Sequence, residues 1–159
     1  MRKVVVNTTP LIALSEIGKL SLMKELFGEI YILVAVLNEV KTEPAFSEIR
    51  AFSDWIHVVE VKDLSQKKLF QTRLHAGEVE VMLYAIESQA DLVILDDKLA
   101  RRTAKYMGLT ISGTVGMLVK AKEKGYLKEV KPVLDLLTQN GLFVSPEVRR
   151  LALREAGEL

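Results

Sequence analysis

Short apolar runs alternate along the chain with longer stretches whose apolar residues recur at helical spacing. Lys3 to Asn7, Ile30 to Leu33, Trp55 to Val59, Leu92 to Leu95 and Leu109 to Ser112 are brief and rich in Val and Ile, which predicts strands. Between them the period lengthens, predicting helices over Pro10 to Ile17, Ser21 to Leu26, Ala35 to Lys41, Ser47 to Phe52, Leu64 to Leu74, Gly77 to Gln89 and Lys98 to Met107. Thr114 to Lys124, Val130 to Gln139 and Pro146 to Ala156 extend the helical pattern. Strand and helix in alternation imply a mostly parallel sheet covered on both faces, the three-layer α/β/α class. Thr9 followed by Pro10 reads as an N-cap and a first helical residue, so the chain turns sharply after its first strand. Gly108 reads as the stop of the helix that ends at Met107. There is no internal repeat, low-complexity run or linker, and one domain over residues 1–159 is expected.

Composition agrees with that expectation. A chain of 159 residues, 49% hydrophobic and 27% charged, is an ordinary soluble domain. At this length folding buries about 70% of the surface of the unfolded chain, so no staple is needed to form a core. The absence of cysteine excludes disulfides, thiolate zinc sites and cysteine nucleophiles. Met1 to Asn7 is too short an apolar start for a signal peptide or a membrane span, so a cytoplasmic protein is expected. The net charge of +1 conceals an asymmetry: residues 1–97 carry 10 basic and 15 acidic side chains, residues 98–159 carry 12 and 6. That division suits a surface holding cations in one place and a polyanion in another, although solvated faces sampled unevenly would produce it too.

The acids gather chemical interest because several fall where strands end, the edge on which parallel α/β sheets build their sites. Asp96 and Asp97 follow a buried apolar strand directly, and their mutual repulsion requires a cation or a helix N-terminus. Either one can equally cap the helix that begins at Lys98. Glu78 projects into the apolar arc of its helix between Ala85 and Met82, so it needs a partner: a metal, or an arginine such as Arg101 or Arg102. Glu39, three residues after Val36 on a short helix following the second strand, can face the same edge.

The succession Asn7-Thr8-Thr9-Pro10-Leu11-Ile12, Glu39, Gly77-Glu78, Leu95-Asp96-Asp97 with Ala100-Arg101, and Gly113-Thr114 resembles the PIN-domain family over nearly the whole chain. It is most similar to a prokaryotic, VapC-toxin-like ribonuclease branch. The resemblance implies a five-stranded parallel sheet in the order 3-2-1-4-5, with an acidic pocket that binds Mg2+ or Mn2+ and hydrolyses RNA. Carried over by position, the acids of the family fall on Asn7, Glu39, Glu78 and Asp97, with Asp96 beside the last, and the hydroxyls fall on Thr9 and Thr114. Asn7 departs from the family by replacing the aspartate that usually binds metal, leaving a neutral amide oxygen. Leu33 stands where this branch more often has proline.

The mechanism so implied is metal-assisted phosphodiester hydrolysis, with Glu78, Asp97, Asp96 and Glu39 as metal ligands and Thr9 and Thr114 orienting water or phosphate. Lys98, Arg101, Arg102 and Lys105 form the expected phosphate track. Single-stranded RNA, a small antitoxin-like protein and a second copy of the chain are the partners expected. The alternative is a catalytically weakened or inactive PIN-like module that binds nucleic acid or protein. A receiver domain or a haloacid-type phosphatase would need acids where Asn7 and Thr8 stand. His75 reads as a solvated or capping residue, and Met82, Met107 and Met117 as core fillers. With one tryptophan and scattered aromatics no base-stacking platform is visible, which leaves RNA binding mainly electrostatic.

Overall fold

The computed structural model describes residues 2–65 and 76–159. The helix expected over Leu64 to Leu74, apart from Leu64 and Ser65, lies outside the described residues, as does His75. The elements run β1 (Val4–Val6), α1 (Thr8–Glu16), α2 (Leu22–Phe27), β2 (Ile30–Leu33), α3 (Val34–Glu39), α4 (Ala45–Ala51) and β3 (Ile56–Val59). They continue with α5 (Ala76–Glu87), β4 (Leu92–Ile94), α6 (Lys98–Tyr106), β5 (Ile111–Ser112), α7 (Thr114–Glu123), α8 (Val130–Gln139) and α9 (Pro146–Glu155). All strand pairs are parallel, in the order β3-β2-β1-β4-β5, with helices on both faces.

The strands are short because the sheet serves as a buried plank. Val4, Val5 and Val6 are fully buried, paired with Leu92, Val93 and Ile94 on one side and through Val5 with Tyr31 on the other. A strand covered on both faces needs an apolar residue at every position, and hence shows a run rather than an alternation. At the edge, β3 is less covered: Ile56 is buried, His57 and Val59 are half-buried and Val58 is 45% exposed. Trp55 packs inside, stacked on Phe52 with ring centroids 5.4 Å apart. Met82 and Met117 fill the core and Met107 packs at its margin.

Two local details differ from the sequence reading. The first helix starts at Thr8, with Asn7 rather than Thr9 as its N-cap. Pro10 then stands in the first turn, where a missing N–H breaks no intrahelical bond. The third helix follows β2 without a loop, Leu33 serving as its N-cap. Gly108 ends α6 as expected: at φ 81° it lets its own N–H reach Lys105 and that of Leu109 reach the Ala104 carbonyl. Among the described residues no helix is long and apolar enough to cross a membrane.

Candidate active site

The strand order reverses at β1, whose neighbours β2 and β4 lead away in opposite directions, and ligands of open parallel sheets bind beyond the strand ends at that point. Asn7 occupies it. Its backbone N–H extends the β1–β4 ladder to the Ile94 carbonyl at 3.0 Å, and its side chain is 5% exposed. An N-cap Asn ordinarily accepts from the second or third helical N–H. The third residue here is Pro10, which has none, and Asn7 Oδ1 is buried with no hydrogen-bond partner. Leaving such an acceptor unsatisfied costs about 1–3 kcal/mol.

Next to it, Thr8 Oγ1 donates to Glu39 Oε2 at 2.7 Å. The other oxygen of Glu39 lies over Gly77, so close that a Cβ there would overlap it. Glycine at 77 therefore lets the Glu39 carboxylate lie beside the start of α5, where a Cβ would push it aside. Glu78, in the first turn of α5, is 7% exposed among the fully buried Val79, Val81 and Met82. Thr8, Glu39 and Gly77 thus form one group, with Asn7 and Glu78 adjacent to it along the chain.

Asp96 and Asp97 form a second. Asp97 caps α6, accepting from the Ala100 N–H at 2.8 Å. Asp96 takes the Thr114 N–H at 2.8 Å on one oxygen and the Thr114 hydroxyl at 2.6 Å on the other. Each of the adjacent carboxylates therefore faces a helix N-terminus, α6 for one and α7 for the other, which offsets their repulsion. Thr114 is fully buried and its hydroxyl is committed to Asp96, so it positions that carboxylate; the sequence reading had it orienting water or phosphate. Gly113 again provides space: a Cβ there would stand 2.7 Å from Arg101 Nη1 and 2.8 Å from Asp96 Oδ1. Arg101 Nη1 also donates to the Leu95 carbonyl at 3.0 Å.

Two cavities adjoin this edge. One, of about 500 Å³, is lined by Thr9, Glu16, Asp96, Asp97 and Lys98 together with the turn after α8. The other, of about 520 Å³, runs between α7 and α9 and has Asp96, Lys98 and Arg101 at its end. Lys98, Arg102 and Lys105 are exposed on α6, and Arg101 is half-buried. Among the described residues no three acids or histidines converge closely enough to form a metal cluster. The expected acids share the sheet edge, but in two groups. That arrangement suits a cation that keeps most of its waters and takes one or two direct carboxylates. The orphaned Asn7 Oδ1 is a neutral oxygen ligand in search of a partner, so the donor set fits one such ion.

Sequence reasoning overlooked Thr8, whose hydroxyl holds Glu39, and the exposed Phe143 that borders both cavities. The spatial role of Gly77 and Gly113 was signalled only by their place directly before Glu78 and Thr114. Compared with known families, residues 3–158 match a family model described as a PIN domain. No match is found among curated proteins.

Proposed function

The chain belongs to the PIN-domain family, and from that premise we propose that it is a metal-dependent ribonuclease hydrolysing RNA phosphodiesters at the Asn7 edge of the sheet. PIN domains are in general nucleases that depend on divalent metals and bind nucleic acid. The observation that carries the reading to this chain is the buried Asn7 Oδ1 without a donor, at the strand-order switch and next in the chain to Thr8, which holds Glu39. Glu78 and Asp97 would hold Mg2+ or Mn2+ directly, Asp96 and Glu39 through water, and Asn7 Oδ1 would add a neutral ligand. When bound, the cation lowers the pKa of an attacking water and neutralises charge growing on the phosphoryl and leaving oxygens. The protein supplies orientation: Thr8 fixes Glu39, Thr114 fixes Asp96, and Ala100 N–H fixes Asp97. Lys98, Arg102 and Lys105 offer cations to the RNA backbone, each phosphate neutralised on a single strand steepening the salt dependence by about 0.7 in log–log slope. A toxin role, an antitoxin-like partner and a homodimer belong to the same proposal and rest on the family resemblance.

The test uses Asp97→Asn. Asn is as good an N-cap as Asp, so the α6 cap survives while the charge is lost. We expect Mn2+-dependent cleavage of single-stranded RNA by the wild-type chain, abolished by chelator and lost in the variant at unchanged melting temperature. Cleavage that persists in purified Asp97→Asn would remove Asp97 from the site.

One observation favours a second reading, an RNA- or protein-binding module without turnover. Both Asp96 and Asp97 already have helix N-termini as partners, and the acid of the first strand is an amide. Metal-independent RNA binding with no cleavage at any Mn2+ concentration would select it.

A further inference from the structure

Phe143 is 87% exposed, yet the turn that carries it is tied down on both sides. Leu142 donates its N–H to the Leu137 carbonyl at 3.0 Å, Leu142 and Val144 pack on the core, and Ser145 caps α9. The turn therefore presents one aromatic ring from a fixed backbone. Leu142 and Phe143 border both cavities, and so do Asp96 and Lys98. Isolated exposed apolar residues are ordinary on protein surfaces, but this one lines a largely apolar groove that Lys98 and Arg101 also line.

We propose that Phe143 is the stacking platform for a nucleobase of single-stranded RNA, the base entering the groove between α7 and α9 while its phosphate lies at Lys98 and Arg101. The proposal rests on the ribonuclease reading and extends it by naming a base subsite. The groove of about 520 Å³ falls within the roughly 300–1,000 Å³ of small-molecule sites. Its walls include the apolar Val115, Val119 and Leu151. The lining offers a nucleotide apolar walls for the base and the cations Lys98 and Arg101 for the phosphate, with Asp96 beside them for the scissile bond and Glu155 on the α9 side. Bases of duplex RNA are already stacked on one another, so this subsite selects unpaired strands. Stacking on one aromatic tolerates any base, so weak sequence preference accompanies it.

The experiment measures binding of a fluorescent oligouridylate to the full chain by anisotropy, in chelator so that cleavage does not interfere. Phe143→Ala is expected to weaken binding by about ten-fold or more, the range of a lost stacking contact, at unchanged melting temperature. Phe143→Tyr should bind as wild type does. In Phe143→Trp, RNA should quench the introduced indole, while Trp55, at 3% exposure, stays unaffected. Equal affinities for wild type and Phe143→Ala would overturn the proposal. So would an equal loss in Phe143→Ala and Phe143→Tyr. If Phe143→Ala binds RNA normally but changes its sedimentation, the groove is a protein interface and the proposal falls. Mn2+-dependent cleavage, assayed separately, keeps the two readings apart. Cleavage by a chain whose affinity ignores Phe143 would retain the ribonuclease and remove the subsite, and Phe143-dependent binding without cleavage would do the reverse.

Discussion

Asn7→Asp changes a buried neutral acceptor into a charged one at nearly constant volume, and so isolates what position 7 contributes. The wild-type amide oxygen already lacks a donor, because Pro10 removes one of the N–H groups that an N-cap side chain would take. A carboxylate there inherits the same deficit and adds repulsion toward the neighbouring acids, so the metal-free variant should melt at a lower temperature. Manganese should reverse the loss through linkage and raise the melting temperature more in the variant than in the wild type. Melts with and without Mn2+ decide the matter: equal metal-induced shifts would show that position 7 does not face the ion. Gly77 and Gly113 act at this scale too, each admitting a neighbouring carboxylate into space that a methyl group would fill.

Among the elements, α8 depends on a residue near the end of the chain. Its N-cap, Glu129, makes no side-chain cap, and Glu158 takes over: the Val130 and Lys131 N–H groups donate to it at 2.7 and 2.9 Å, with Lys122 Nζ at 2.9 Å. Burial alone would raise the Glu158 carboxyl, but the two backbone N–H groups and the Lys122 ammonium outweigh it and hold it below the ordinary glutamate value of 4.5. A carboxyl with a lowered folded-state pKa stabilises the fold above its unfolded pKa, and that contribution is lost as pH falls through the folded value. Glu158→Gln should therefore cost about 1–2 kcal/mol near neutral pH, the scale of a lost helix cap. Denaturant unfolding at a series of pH values checks this: the gap between wild type and variant should narrow below about pH 4.5, and a pH-independent gap would contradict the charge argument. The Arg149–Asp135 ion pair at 2.6 Å joins α9 to the same helix, so this cap also supports one wall of the Phe143 groove.

For the whole molecule, the acidic first part and basic last part of the chain meet at one edge: Asp96 and Asp97 follow β4, and the basic face of α6 begins at the next residue, Lys98. A polyanion drawn to α6 is thereby delivered to the carboxylates. The exposed Leu136 on α8, at 43%, lies outside the Phe143 groove and leaves apolar surface that a second copy can cover. We expect a dimer, since closed two-fold assemblies are the commonest. Sedimentation showing monomer alone up to millimolar concentration would count against it.

The class of fold was readable from periodicity, because a strand buried on both faces must be an apolar run and a covering helix must carry an apolar stripe. The strand order and the ranks of Glu39, Glu78 and Asp97 came from the resemblance, whose short motifs coincide with strand ends. Glu78 was legible as an acid in an apolar arc, and it is buried. What depended on packing was the pairing of these groups. Nothing local to Asp96 says that Thr114, eighteen residues on, will take both its oxygens; that requires β5 to lie beside β4. Thr8 reaches Glu39 only because β1 and β2 are neighbours, and an exposed Phe143 acquires meaning only because the turn after α8 folds back over Asp96 and Lys98. Periodicity records which face a residue presents to the core, since burial acts on each side chain separately. Contacts between distant segments are fixed by how whole elements stack, and no single segment encodes them.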